Sequence, residues 1–263
     1  MAVNFPTPLA DLNAVLTDLV SGTQSILGVN FCGAYLQGSF AIGDWDEYSD
    51  VDFIVVVEQD VSAEEFAGLR ELHHRIYDQP CPWAQHLEGS YFPKDLLRRE
   101  DPALTPLVYI DNAHRELERS AHDNSLVVRW TLREHGITLA GLEPRSLVEP
   151  VPVDDLRREV RAVMRQWSEE ILTGRYTINN CWAQPFAVIS YCRMLQTLQT
   201  GTVESKPAGV RWGLQNLDPQ WADLIRRAWA ERPEPGIKVR QAADWENVRR
   251  TEEFVRYVLA LIR

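Results

Sequence analysis

Over the first 27 residues the apolar positions recur every three or four: Leu9, Leu12, Val15, Leu16, Leu19 and Val20. This spacing lines one side of a helix and predicts an amphipathic α-helix over residues 9–27. The period then shortens. Residues 30–36 predict a strand and residues 51–58 a second, whose run Phe53-Ile54-Val55-Val56-Val57 has no polar face and reads as buried. Helical spacing returns at Phe66, Leu69, Leu72 and Ile76. Ser62 stands before it with Glu65 three positions on, the pattern of a capping box, so a helix is predicted over residues 62–77. Residues 83–93 and 106–111 predict two more strands. A helix over 123–136 ends at Gly136 with His135 in its last turn, and 137–141 is a final short strand. Residues 144–152 hold Pro144, Pro150 and Pro152 and show no apolar period, which predicts a linker.

After Pro152 only the helical period remains. Leu156, Val160, Val163, Trp167 and Ile171 form one stripe, with Gly174 ending that helix. Further helices are predicted over 185–199, closed by Gly201, over 219–231, capped by Asp218 with Pro219 at the first helical position, and over 242–263. Four helices in succession without a strand make a bundle. The expected architecture is α+β: a mixed-sheet domain over 1–150, then an all-α bundle over 151–263.

Composition narrows the class. The chain is 45% hydrophobic and 25% charged, which is globular, and its net charge of −11 argues against a nucleic-acid partner. The same charge suits a cationic substrate drawn toward an acidic site. Cys32, Cys81, Cys181 and Cys192 are scattered with no metal-type spacing, which disfavours zinc and a disulfide framework and points to a reducing cytoplasm. The first thirty residues contain no signal-peptide pattern, and no apolar run is long enough to span a bilayer. The expectation is a cytoplasmic monomer without a membrane partner.

The candidate chemistry is concentrated between residues 38 and 57. Asp50 and Asp52 open the second strand, and side chains two apart on a strand point the same way. Paired carboxylates call for a cation, and hard oxygen ligands suit Mg2+, which commonly shares its shell with substrate phosphates. Gly38-Ser39, before a short segment ending at Gly43, offers backbone N–H groups to an anion. Glu88, on the strand predicted beside the second, is either an exposed strand glutamate or a third carboxylate able to accept a hydroxyl proton. His86 reads as structural. Gly-Ser, ten intervening residues, Asp-x-Asp and an apolar strand together resemble the signature of the nucleotidyltransferase superfamily, whose fold is shared with DNA polymerase beta.

Over most of its length the chain resembles the aminoglycoside adenylyltransferases that modify streptomycin and spectinomycin. The resemblance runs through Gly38-Ser39, Ser49-Asp50-Val51-Asp52, Glu88, Arg133-Glu134-His135, Leu139-Ala140-Gly141 and Glu149-Pro150-Val151-Pro152. It continues through Arg193, Thr200-Gly201, Lys206 and Trp212. It implies a nucleotidyltransferase domain followed by a helical bundle, with ATP and drug held in a cleft between them. It further implies that Asp50, Asp52 and Glu88 bind two Mg2+ ions, that Glu88 is the catalytic base, and that Ser39 and Ser49 contact the phosphates with Gly38. Arg193 and Lys206 would supply phosphate-directed cations; read without the resemblance, they are a snorkelling surface residue and a loop residue. Trp167 matches a tryptophan that packs on drug. The acidic residues that family members place before the second bundle helix are missing here. Asn179, Asn180, Trp182 and Ala183 stand there, with Asn179 and Trp182 as the candidate substrate contacts, and Glu169 and Glu170 are either substitutes for the missing carboxylates or a solvated helix face. Asp123 and Asn124 are further candidates for the cleft. The competing readings are the same transfer to another small molecule or to a protein hydroxyl, and a nucleotide-binding module without catalysis.

Overall fold

The structure, a computed structural model, describes residues 6–232 and 235–262. The chain divides into two compact units, Met1–Val151 and Pro152–Arg263.

The first unit contains, in order, α1 (Ala10–Leu27), β1 (Phe31–Leu36), α2 (Gly38–Ile42), β2 (Val51–Val57), α3 (Ala63–Tyr77), β3 (Leu87–Pro93), α4 (Lys94–Leu97), β4 (Leu107–Ile110), β5 (Glu118–Ser120), α5 (Leu126–His135), β6 (Ile137–Gly141) and α6 (Pro144–Leu147). The strands form one sheet in the order β5-β4-β3-β2-β1-β6. Only β2 and β3 run parallel; every other pairing is antiparallel. Alternation divides the central strands between two layers. Phe53, Val55, Val57 and Tyr91 pack with Leu12, Leu16 and Leu19 of α1 and Leu69, Leu72 and Ile76 of α3. Ile54, Val56, Phe92 and Leu107 pack on the other face with Leu97, Leu132, Leu147 and Val148. The capping box forms as predicted: Ser62 Oγ accepts from the Glu65 N–H and Glu65 accepts from the Ser62 N–H.

Three expectations for this unit change. Residues 82–85 form a 3₁₀ turn starting at Pro82, so β3 begins only at Leu87. The helix expected over 123–136 starts at Leu126, where Ser125 caps it by accepting from the Val128 N–H. Residues 144–148 are not a linker, because Leu147 and Val148 are buried in the core on the α5 side. The exposed three-residue strand β5 carries no apolar alternation and is not legible from pattern.

The second unit comprises α7 (Val153–Leu172), α8 (Ala183–Thr200), α9 (Lys206–Asn216), α10 (Ala222–Glu231), the single turn α11 (Pro235–Lys238) and α12 (Trp245–Leu261). Helix α9 was not expected. It carries Pro207 and two glycines, yet those glycines permit close packing. A Cβ on Gly209 would lie 2.4 Å from Arg193 Cγ and one on Gly213 2.7 Å from Cys192 Sγ, both on α8. The buried stripe of α7 is Leu156, Val160, Met164, Ser168 and Ile171, whereas Val163 is exposed. Asp218 caps a 3₁₀ turn over Pro219–Trp221, and α10 follows it. Among the described residues no helix is long and apolar enough to cross a membrane.

One buried cation fixes the segment that leads into α5. Arg129 is 1% exposed and donates to the carbonyls of Leu96, Leu97 and Ser125 and to Asn124 Oδ1. Its guanidinium lies 5.1 Å from the Phe92 ring centre. Asn124 also donates to Asp101 and to the Thr105 carbonyl, so it is a structural tie. Arg129→Met strands several buried acceptors and is expected to cost about 3 kcal/mol in urea unfolding. A loss under about 1 kcal/mol would contradict this account.

Candidate active site

Because β2 and β3 are parallel and in register, Asp52 pairs directly with Glu88, and both side chains leave the same face of the sheet. Farther along that face the polar residues give way to Ile54, Val56 and Phe92, so the acidic end is bounded by core. Asp50 lies two positions before Asp52. Above them the chain turns from β1 into α2 at Gly38, whose φ is +63°. A Cβ there would sit 1.9 Å from Asp52 Oδ2, so only glycine lets the backbone pass so near the carboxylate. Ser39 follows, and its hydroxyl oxygen is buried with no hydrogen-bond partner among the described residues. Gly43, at φ +82°, ends the short helix. Stacking of Phe40 on Trp45, at 5.1 Å between ring centres, anchors the loop that returns to Asp50.

Neutral donors reach the carboxylates from β4 and the residues after it. Tyr109 donates to Glu88 Oε1 at 2.8 Å, and its oxygen lies 3.1 Å from Asp111 Oδ1. Asn112 donates from Nδ2 to Asp50 Oδ1, and its own Oδ1 is 3.0 Å from His86 Nδ1. His86 thus sits behind Asn112 rather than on the carboxylates. His122 Nε2 stands 3.5 Å from Glu88 Oε1. Asp123, 5% exposed, accepts from Ser90 Oγ at 2.7 Å. Burial first, and then the charges of Asp52 and Asp50, push the Glu88 carboxyl far above the usual carboxylate range. Burial also raises Asp123, against the opposing hydrogen bond from Ser90. Burial and the Glu88 charge hold Tyr109 protonated.

Among the described residues no three His, Cys, Asp or Glu side chains close on one point as a finished metal cage. Asn112 and Tyr109 each place a neutral donor on one of these carboxylates, Asp50 and Glu88. The residues nevertheless fit a hard divalent cation. The donor set is all oxygen, Glu88 is held in a state that a nearby cation would ionise, and the buried Ser39 hydroxyl, without a partner among the described residues, follows the glycine that passes over Asp52.

Of the other expected site residues, Ser49 Oγ is engaged in its own turn, accepting from the Asp46 N–H at 2.9 Å and lying 3.2 Å from Asp46 Oδ1. In the second unit Arg193 donates from Nε to the carbonyl of Glu204, two residues before Lys206, the first residue of α9. Trp167 stacks on Tyr191 at 5.0 Å and meets Tyr176 and Phe186 edge-on. Trp182 stacks on Phe186 at 5.0 Å. Asn179 is exposed, with its carbonyl accepting from the Ala243 N–H. Asn180 Oδ1 accepts from the N–H groups of Trp182 and Ala183 at the start of α8. Glu169 is paired with Arg175. The sequence reading missed Tyr109, Asp111, Asn112 and His122. Tyr109 had a usable signal, because β4 pairs Tyr109 with Ser90 and alternation places both on the face of Glu88.

Two outcomes follow from this crowding. Ionising Glu88 costs folding free energy as pH rises above the unfolded carboxyl value, because its folded pKa is raised, and glutamine mimics the protonated form. Glu88→Gln is therefore expected to raise Tm in chelator at neutral pH by roughly 2–4 °C, about 1 kcal/mol; a fall would contradict the reading. Gly38→Ala must adopt positive φ and displace Asp52, at an expected cost of about 1–3 kcal/mol in urea unfolding.

Comparison with known proteins finds matches to both units. The family model Nucleotidyltransferase domain matches residues 33–92, and the model Aminoglycoside adenylyltransferase, C-terminal domain, matches residues 146–260. A spectinomycin 9-adenylyltransferase of Campylobacter jejuni is 20% identical over 81% of this chain and 82% of its own length. An aminoglycoside (3'') (9) adenylyltransferase of Escherichia coli is 23% identical over 95% of this chain and 94% of its own. Among solved structures, the spectinomycin adenyltransferase of Enterococcus faecialis, determined with ATP and spectinomycin, superposes with a TM-score of 0.69 at 14% identity, covering 95% of this chain and 98% of that one. The carboxylate-bearing sheet, the helical second unit and these matches together describe a nucleotidyltransferase domain followed by an aminoglycoside adenylyltransferase C-terminal domain, that is, an aminoglycoside adenylyltransferase-like enzyme.

Proposed function

We propose that the protein transfers AMP from ATP to a hydroxyl of an aminoglycoside or aminocyclitol antibiotic of the streptomycin–spectinomycin type, with Mg2+ as cofactor. The observation that carries this reading is the acidic end of β2 and β3, where Asp52 pairs with Glu88 and Gly38 passes directly over Asp52. The names of the relatives supply the acceptor class.

On this reading Asp50, Asp52 and Glu88 hold the metal, which would neutralise phosphate charge as the bond to the leaving group breaks. Gly38 and Ser39 receive the phosphates, and Arg193 and Lys206 are the phosphate-directed cations of the second unit. Glu88 takes the proton of the acceptor hydroxyl. The freed oxygen forms a bond to the α-phosphorus as the bond to the β-phosphate oxygen breaks, and pyrophosphate leaves. Trp167, Trp182 and Asn179 contribute to acceptor binding. The absence of carboxylates at Asn179, Asn180 and Trp182, and the pairing of Glu169 with Arg175, favour a second reading of the acceptor alone: the same chemistry on a less cationic small molecule.

Incubation with ATP, Mg2+ and a panel of aminoglycosides and aminocyclitols, read by mass spectrometry, tests the reading. One or more drugs should gain AMP and pyrophosphate should appear. AMP found on protein, or on no compound, would contradict the assigned acceptor. Asp52→Asn should lower turnover by more than about a hundredfold while leaving the circular dichroism spectrum unchanged. Substantial residual turnover would remove Asp52 from the proposed metal site.

A further inference from the structure

The geometry points to Tyr109 as the positioning residue of the Glu88 carboxylate. Once ionised, a glutamate beside two aspartates is driven away from them by like charge, and its three side-chain torsions give it room to turn. Tyr109 opposes that motion from the neighbouring strand. Its residue is 3% exposed, its backbone is fixed opposite Ser90 in the β3–β4 ladder, and its ring is flanked by His122 at 5.3 Å between centres. With only two torsions, both set by packing, its hydroxyl is a fixed point on the sheet. The hydroxyl has one proton and two carboxylate acceptors in reach, Glu88 Oε1 at 2.8 Å and Asp111 Oδ1 at 3.1 Å, and the shorter contact is to Glu88. A phenol orients the carboxylate without cancelling its charge, as a lysine or arginine there would. The charge that a divalent cation needs is therefore preserved. Groups that orient ligands from outside the metal shell alter affinity or activity by about 10–100-fold when removed.

This assignment rests on the metal-dependent reading of the site, and its test does not need an acceptor. Mn2+ is titrated into the full-length protein and the free ion counted by electron paramagnetic resonance. Tyr109→Phe keeps the ring and removes the donor; it is expected to weaken Mn2+ binding about tenfold and to lower Tm by no more than about 2–4 °C. In a Glu88→Gln background the same substitution should have no further effect on Mn2+ affinity, because a residue acting through Glu88 couples to it in a double-mutant cycle. With an acceptor that the wild type modifies, and at saturating Mg2+, kcat should fall while KM for ATP holds. The assignment is overturned if Tyr109→Phe binds Mn2+ as tightly as wild type, if the loss is as large in the Glu88→Gln background, or if wild type takes up no Mn2+. Failure of the antibiotic reading looks different: wild type that binds Mn2+ but passes AMP to no compound.

Discussion

The site depends on like charge held together by backbone geometry. Two unit charges about 4 Å apart near a protein surface repel by about 4 kcal/mol, so carboxylates gather only where the chain leaves them no alternative. Here the parallel register of β2 and β3 sets Asp52 beside Glu88, and Asp50 is carried in two residues earlier. The strands that impose this are buried throughout: Ile54, Val55, Val56, Tyr91 and Phe92 are each fully excluded from solvent. Burial of these neighbours stabilises the fold, and part of that stability offsets the acidic end. The raised Glu88 carboxyl is the local sign of the conflict.

Glycine makes the crowding sterically possible. Gly38 passes over Asp52 where no side chain fits, and Gly89, next to Glu88, brings β3 so near β2 that a Cβ would stand 2.0 Å from the Phe53 carbonyl oxygen. Neutral donors then tie down what the backbone cannot. Asn112 holds Asp50 and Tyr109 holds Glu88, both from a stretch that contributes no metal-directed carboxylate of its own in the proposed set. An uncharged tether suits such a place, since it fixes direction and leaves the charge available.

Much of the fold was legible because it rests on local periodicity. The stripe Leu12-Leu16-Leu19, the Ser62–Glu65 capping box and the apolar run after Asp52 each fix an element within one or two residues. The place of Glu88 beside Asp52 was legible for a related reason, since the strand next to β2 was the natural place for it. What escaped depends on partners distant in sequence. Helix α9 reads poorly alone because Gly209 and Gly213 lower its helical propensity, and their value appears only against Arg193 and Cys192. Leu147 and Val148 lie in a proline-rich stretch with no period and are recruited to the core by Leu132 and Phe92. Tyr109 and Asn112 become site residues only once β4 is known to lie antiparallel beside β3.

The central claim is that Asp50, Asp52 and Glu88 form a seat for a divalent cation beneath a triphosphate. The most direct measurement is calorimetric titration of ATP into the wild-type protein, first with Mg2+ and then with chelator in its place. ATP should bind roughly tenfold or more tightly with Mg2+, about 1.4 kcal/mol or more of coupling. Equal affinity in the two titrations would contradict the account.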